Sequence, residues 1–312
     1  MKLTTAIDSY IEWIAISKNL SPHTLRAYRS DLAFLARTLD KDTGIDSLSP
    51  EAMRGFVAIQ RQNGCSDRTI ARRVAAIHGF EKWLGETQPG ISCALEAKQI
   101  RISPKPALPR TASRTDLKAL HRHLRNQVAE NGNVLDGVRK NPHHATTLVA
   151  VSIMLAVGSR VGETSSLKLS DVDLESGRLR ILGKGSKTRV VFVTDEWLPR
   201  LLGRYIDLRT RLGIDHTYLL FDHTLSPIST ASIRRRMHQS SRHAGLSNTL
   251  TPHMLRHAAA TSLIEEGVDI TIVQQLLGHS SVSTTQIYTH VSRSALRTAL
   301  AAANITGRFF YD

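Results

Sequence analysis

The stretch LLGHSSVSTTQIYTH, residues 276–290, is the most informative part of this sequence. It places His279 and Tyr288 nine positions apart. Two further clusters lie upstream, GSRVGE at residues 158–163 and HMLRH at residues 253–257. Together the three clusters supply two arginines, several histidines and one late tyrosine. These are the groups needed for covalent attack on a phosphodiester without a metal ion.

The composition indicates a polyanionic partner. Among 312 residues, 41 are Lys or Arg and 27 are Asp or Glu, for a formal net charge of +14. Such a charge favours nucleic acid because Lys and Arg release counterions from phosphates, although an anionic membrane surface would also attract it. The longest apolar run, residues 148–157, is about half the length needed to cross a bilayer. We therefore expect no membrane partner. With only two cysteines, we also expect a cytoplasmic protein without a disulfide framework.

Residues 1–96 are predicted to form helices only. Apolar residues recur at helical spacing over residues 3–17. Ser21-Pro22 and Ser49-Pro50 are typical helix starts, with serine as the N-cap and proline at the first helical position. Residues 97–112 contain the basic, proline-rich stretch SPKPALPR, which favours an extended linker because proline removes backbone donors.

Residues 113–312 are predicted to form a second domain that mixes helices with a small sheet. Residues 115–125 and 146–157 have helical patterns, the second of them apolar enough to be buried. The polar residues 126–144 between them resemble an insertion to which we assign no role. The predicted elements that follow are strands at 177–182 and 188–193, a hairpin loop GKGSK at 183–187, and helix from residue 197 nearly to the end. The fold class is therefore mainly α with a small β-sheet.

In this order and spacing the three clusters resemble the tyrosine site-specific recombinases, the phage-integrase family, and most closely their Xer type. The stretch LSPHTLRAYRSDL, residues 20–32, is similar to the start of the Xer core-binding domain. The resemblance implies a helical core-binding domain over 1–96, a basic linker over 97–112, and a mixed α/β catalytic domain over 113–312 that includes a C-terminal helix.

The resemblance also implies the catalytic set. Tyr288 would attack the scissile phosphorus, leaving a 3′-phosphotyrosyl bond that stores the energy for religation without ATP. Arg160 and Arg256 would hold the two non-bridging oxygens, since the guanidinium group forms bidentate hydrogen bonds and keeps its charge. His253 would donate to the phosphate and assist proton transfer, and His279 would be a further donor.

Lys184, between two glycines of the hairpin loop, is the candidate general acid toward the 5′-oxygen, with Lys187 as the alternative. Glu163 would orient Arg160, and His257 would support the site from one helical turn beyond His253. These three supporting roles also rest on the resemblance.

No metal or other cofactor is expected. His253 and His257 have the spacing of zincin ligands, but that motif requires glutamate directly after the first histidine. Met254 occupies this position, and Arg256 would repel a cation. We therefore interpret the HMLRH cluster as a phosphate site and not as a metal site.

Five basic residues outside the catalytic set are predicted to contact DNA: Arg26, Arg68, Arg72, Arg73 and Lys105. The alternative for those on helices is an ordinary solvated face. The expected partners are double-stranded DNA with specific core sites, further copies of the chain in a tetramer on that DNA, and a paralogous recombinase or accessory protein. The predicted function is site-specific recombination through a Holliday junction. A type IB topoisomerase-like nicking and resealing enzyme and a catalytically silent DNA-binding regulator are the alternatives.

Overall fold

The structure is a computed structural model that describes residues 1–18, 20, 22–39, 44–45, 48–87, 96–103, 111–183, 187–278, 298 and 301–302. The chain divides into two compact units, Met1–Leu108 and Pro109–Asp312. Helices dominate both units, and one small sheet lies in the second, which confirms the predicted fold class. Across the described part of the chain, every helix is too short or too polar to cross a bilayer.

In the described part of the first unit the α-helices are α1 (Leu3–Ser17), α2 (Pro22–Thr38), α3 (Pro50–Gln62) and α4 (Asp67–Thr87). The starts of α3 and α4 follow from serine side chains that satisfy free backbone donors. The Ser49 hydroxyl accepts from the Ala52 N–H at 3.2 Å, and the Ser66 hydroxyl accepts from the Thr69 N–H at 3.3 Å. The predicted cap Ser21 lies outside the described residues.

The apolar faces of these helices form one core. Tyr10 of α1 contacts Phe80 and Trp83 of α4, each with ring centroids 5.5 Å apart. Beyond α4, the short 3₁₀ helix Ala97–Gln99 packs onto the same core, and Ala97 is buried. The first residues of the segment predicted as a linker thus pack with the helical unit.

The second unit contains helices α5 (Arg114–Val128), α6 (Val134–Gly137), α7 (Pro142–Val157), α8 (Val161–Ser165), α9 (Trp197–Arg211), α10 (Thr230–His243), α11 (Pro252–Glu265) and α12 (Ile270–Leu277). Its strands are β1 (Val172–Asp173), β2 (Arg178–Leu182) and β3 (Thr188–Phe192). They form an antiparallel sheet in the order β1-β2-β3. The predicted strand pair is therefore present, joined by a third strand that the sequence did not reveal.

Helix α7 is the centre of the second unit. Residues 145–157 are all buried, as expected for a helix that is apolar on every side. It packs against α5, α9 and α11. The helix begins at Pro142, about one turn before the predicted start at residue 146, because proline suits the first helical position. The helix ends at Val157, and Gly158, the first residue of the GSRVGE cluster, follows it directly.

Two further predictions differ from the structure. The helix predicted over residues 115–125 continues to Val128 as α5, and the polar stretch 126–144 contains α6 and the first residues of α7. The prediction of continuous helix after residue 197 fails between α9 and α10. There, Tyr218 pairs with Lys168, and Phe221 pairs with Pro227, as isolated β-bridges.

Candidate functional site

A cleft of about 500 Å³ in the second unit brings two of the three sequence clusters together. It lies between α8, the end of β2, and the starts of α10 and α11. Its lining includes Arg160, Glu163, Gly183, Arg234, His253 and Arg256. Residues that are far apart in the sequence therefore meet at one surface, and three of the lining residues are arginines.

Arg160 is placed by the turn that ends α7. Gly158 adopts the left-handed conformation with φ 62°, and Arg160 then stands at the N-cap of α8. Glu163 accepts from the Arg160 backbone N–H at its Oε2 and from Arg160 Nη1 at its Oε1, both at 2.9 Å. The Arg160 side chain remains 40% exposed. Glu163 thus binds both the backbone and the side chain of Arg160, and the arginine is still accessible to a ligand.

Arg256 also lines the cleft and is only 7% exposed. It lies on α11, whose start is fixed by the Thr251 cap and by Pro252. Arg256 Nη1 donates to the Gly158 carbonyl at 2.6 Å, and Nη2 donates to the Leu277 carbonyl at 2.7 Å. These bonds join the ends of α7 and α12 to the side chain that lines the cleft.

The charges in the cleft are strongly coupled. Burial lowers the pKa of Arg256 to about 10, repulsion from Arg160 and Arg189 acts in the same direction, and Glu163 opposes it. Burial alone would raise the pKa of Glu163, but hydrogen bonds from Arg189 and from Arg160 outweigh it, so this pKa lies below its ordinary value. At neutral pH both groups are ionised. The cleft therefore presents fixed positive charge to an anion.

Replacing Gly158 with alanine should destabilise the second unit. A Cβ atom at this position would lie 2.5 Å from Leu277 Cδ2, and the φ of 62° is unfavourable for alanine. We expect the free energy of unfolding to fall by about 1–3 kcal/mol, measured by urea titration. The matched control is Gly203→Ala in α9, where the nearest atom is 3.7 Å away and alanine should be neutral or stabilising. Equal stability of the two variants would contradict the assigned backbone geometry.

The two histidines of the HMLRH cluster line different hollows of the second unit. His253, in the first turn of α11, is exposed and lines the cleft beside Arg256. His257 is also exposed but lines a different hollow, formed with Arg114 and Leu117 of α5. The structure thus brings His253, and not His257, to the paired arginines.

Lys184, His279, Tyr288 and Lys105 lie outside the described residues. The residues directly before two of them, Lys184 and His279, are described and lie at or near the site. Gly183, which precedes Lys184, lines the cleft. A Cβ atom on Gly278, which precedes His279, would lie 3.1 Å from Arg189 Nη1.

The arginines predicted to contact DNA in the first unit differ in accessibility. Arg26 and Arg68 are exposed. The Arg72 side chain is 50% exposed and pairs with buried Asp31. Arg73 is 16% exposed; it donates to Gln60 and stacks over Phe34 with its Cζ 4.2 Å from the ring centroid. Arg26 and Arg68 are thus open to a ligand, whereas Arg73 is engaged within the helical unit.

Sequence reasoning missed two arginines near the cleft. Arg189 of β3 donates to Glu163 at 2.7 Å through Nη2 and at 3.2 Å through Nη1. Strand alternation was the available signal, because Arg189 shares a face with the buried residues Ile181 and Val191. A charge on that face requires a partner. Arg234, in the first turns of α10, lines the cleft; within the run Arg234-Arg235-Arg236 nothing in the sequence singles it out.

Comparison with known families agrees with this architecture. The pattern of the phage integrase family matches residues 124–295, which include every described residue named above as lining the cleft. The pattern of the phage integrase N-terminal SAM-like domain matches residues 7–88, the range of α1 to α4. Each unit therefore has its own counterpart in the family.

Curated relatives cover almost the whole chain. Tyrosine recombinase XerC of Corynebacterium glutamicum is 34% identical over 303 residues, which are 97% of this chain and 92% of that protein. Tyrosine recombinase XerD of Staphylococcus saprophyticus is 31% identical over 302 residues, which are 95% of this chain and 97% of that protein. At this identity and coverage, both units and the connection between them are shared with these relatives.

Solved structures show the same fold. A lambda integrase(75–356) dimer bound to a COC′ core site matches with a TM-score of 0.68 at 16% identity, over 94% of this chain and 100% of that chain. XerH recombinase bound to palindromic difH substrate, a post-cleavage complex, matches with a TM-score of 0.67 at 22% identity, over 95% of this chain and 83% of that chain.

The helical first unit and the second unit with its arginine-lined cleft thus define a DNA strand-exchange enzyme. The chain belongs to the phage integrase family. Within that family it is a Xer-like tyrosine recombinase, an enzyme that cuts and rejoins DNA. The comparisons support neither the topoisomerase-like alternative nor the catalytically silent regulator.

Proposed function

We propose that this enzyme recombines double-stranded DNA at specific sites through a 3′-phosphotyrosyl intermediate and a Holliday junction. One observation carries the proposal: Arg160 and Arg256, which lie on different helices and far apart in sequence, line the same cleft. A phosphodiester has two non-bridging oxygens, and each planar guanidinium can hold one of them by charge-assisted hydrogen bonds. The cleft therefore suits a single phosphate held by both arginines.

The charge of the cleft suits the transition state better than the ground state. Arg160, Arg189 and Arg256 surround one carboxylate, Glu163. Attack by a phenolate adds negative charge to the phosphate as the pentacovalent species forms. Because the Arg256 side chain is already fixed by two carbonyls, its charge needs no reorganisation during the reaction.

The start of α11 adds a second source of stabilisation. His253 lies in its first turn and is exposed to the cleft. The N-terminus of a helix favours an anion through its free N–H groups and its dipole. We assign His253 a hydrogen bond to the phosphate and a role in proton transfer, for which an imidazole is suited near neutral pH.

Tyr288, Lys184 and His279 complete the proposed mechanism, and their roles are assigned from the sequence. Tyr288 is the nucleophile, Lys184 protonates the leaving 5′-oxygen, and His279 donates to the phosphate. Gly183 at the cleft and Gly278 beside Arg189 support the last two assignments, because each directly precedes the assigned residue in the chain.

We further propose that residues 1–96 are a core-binding domain, 97–112 a basic linker, and 113–312 the catalytic domain with its C-terminal helix. The basic residues proposed to contact the DNA backbone are Arg26, Arg68, Arg72 and Lys105. The fifth candidate, Arg73, is instead engaged by Gln60 and Phe34 within the helical unit. Lambda integrase has been solved as a tetramer bound to a Holliday junction, and we propose a tetramer on DNA here too. A cytoplasmic location and a paralogous or accessory partner belong to the same proposal.

A nicked suicide substrate tests the chemistry. Duplex sites would be selected from a random DNA library by binding to the full-length chain, and a nick would be placed beside each candidate cleavage position. We expect a protein–DNA adduct that survives SDS and is removed by protease. Two intact sites on one plasmid should then yield recombinant products. Site-independent relaxation of supercoiled DNA would support a topoisomerase, and tight binding without any adduct would support a silent regulator.

A further inference from the structure

Arg189 makes an unusual set of contacts for a strand residue. Its side chain is 13% exposed. Nη1 and Nη2 donate to the two carboxylate oxygens of Glu163 at 3.2 and 2.7 Å, and Nε donates to the Leu276 carbonyl at 2.6 Å. One side chain on β3 thus joins α8 to the end of α12.

The pairing with Glu163 affects what Arg160 can do. Glu163 is 7% exposed, and a carboxylate so buried needs a compensating cation. If Arg160 were the only such cation, Glu163 would neutralise its charge before DNA bound. Arg189 supplies a permanent partner that is buried away from the cleft, so Arg160 can be oriented by Glu163 and still offer its charge to a phosphate. Arg160 is 40% exposed, three times as much as Arg189 at 13%.

The contact with α12 links Arg189 to the other half of the site. The last carbonyls of a helix have no partner within the helix. Here Leu276 is capped by Arg189 and Leu277 by Arg256, through bonds of 2.6 and 2.7 Å. Gly278 then turns with φ 65° and packs against the Arg189 guanidinium. The chain therefore leaves α12 toward His279 from a point fixed by both arginines.

We propose that Arg189 is a positioning residue for strand cleavage: it holds Glu163 against Arg160 and fixes the end of α12 relative to Arg256. It does not touch the DNA. This inference rests on the proposed function, in which Arg160, Arg256 and His279 act on one phosphate. Losing Arg189 should loosen the spacing among them, and a displacement of about 1 Å can slow an enzyme about 100-fold.

Two substitutions separate charge from geometry. Arg189→Lys keeps the positive charge, but a single ammonium group cannot reach both carboxylate oxygens and the Leu276 carbonyl in the same fork. Arg189→Met keeps much of the length and removes every donor. The matched control is Arg178→Met, which removes an arginine of β2 that pairs with Asp173 and is 50% exposed.

The experiment measures single-turnover cleavage of the suicide substrate at saturating protein, beside the dissociation constant for the same DNA. We expect cleavage to slow about 10-fold in Arg189→Lys and about 100-fold in Arg189→Met. The dissociation constant should stay within about threefold of wild type, because affinity comes from many phosphate contacts. Arg178→Met should cleave at the wild-type rate.

The pH profile of cleavage gives a readout that a purely structural role would not move. Arg189 helps to keep the pKa of Glu163 below its ordinary value. Without Arg189 that pKa rises, so the ionised carboxylate is lost earlier as pH falls, and the acid limb of the profile should move to higher pH. The inference is overturned if cleavage declines only in parallel with DNA affinity or folded fraction, or if the acid limb stays in place. Failure of the wild-type chain to form an adduct would instead refute the proposed function.

Discussion

Replacing Tyr288 with phenylalanine should abolish the covalent protein–DNA adduct while leaving DNA binding intact. The substitution removes one oxygen atom, which in the proposed mechanism is the atom that attacks phosphorus. Loss of a nucleophile commonly lowers a rate by roughly 10⁴-fold or more, so no adduct should be visible on the suicide substrate. Because a phenolic oxygen adds little to the contacts with many phosphates, the dissociation constant should match that of the wild type.

Tyr218→Phe is the matched control for this experiment. Tyr218 belongs to the same unit, is partly buried, and has its ring 6.2 Å from that of His216, outside the cleft. It should form the adduct at the wild-type rate. An adduct that persists in Tyr288→Phe would identify another side chain as the nucleophile, and mass spectrometry of the DNA-linked peptide would locate it.

Local patterns in the sequence were sufficient for much of the fold. Helix α1 spans Leu3–Ser17 as its apolar spacing predicts, and Ser49 caps the helix it was assigned to. The strands β2 and β3 lie within one residue of their predicted ends. In each case the residues that determine the element lie within a few positions of one another, so a short stretch of sequence contains the signal.

The failures occurred where distant residues decide the conformation. Between α9 and α10, Leu219, Leu220 and Phe221 are buried, and their apolar run does not by itself distinguish a helix from an extended segment. Contacts from outside the segment support its extended conformation, since the Arg209 guanidinium donates to the carbonyls of His216 and Leu219. No pattern within the segment contains that contact.

The same contrast between near and distant contacts holds for the prediction of the site. Glu163 lies three residues from Arg160, and this spacing together with the family resemblance predicted their pairing; the structure contains the ion pair. The meeting of Arg160 with Arg256 could be predicted only through resemblance to a family, because no spacing rule joins α8 to α11. Arg189 was missed because its partners, Glu163 and Leu276, lie on two elements distant in sequence.

Replacing Arg256 with glutamine should impair both cleavage and folding stability. The phosphate would lose one of its two clamps, and removal of one such donor commonly costs about 10²–10³-fold in rate. The carbonyls of Gly158 and Leu277 would also lose their donors. An unpaired buried carbonyl costs about 1–3 kcal/mol, so we expect the free energy of unfolding to fall by about that amount. Cleavage of the suicide substrate and urea titration measure the two effects, with exposed Arg200→Gln, whose surface pair contributes little, as the control.

Arg256→Lys distinguishes the clamp from a simple need for charge. Lysine restores the positive charge, but one ammonium group cannot serve two carbonyls and also hold a phosphate oxygen in a bidentate fork. Cleavage should therefore recover only partly, to about 10²-fold below wild type, while the dissociation constant for DNA changes little. If Arg256→Lys instead cleaved as fast as the wild type, the two bonds to the ends of α7 and α12 would have no part in placing the charge. If Arg256→Gln cleaved within tenfold of wild type, Arg256 would not be one of the groups that hold the scissile phosphate.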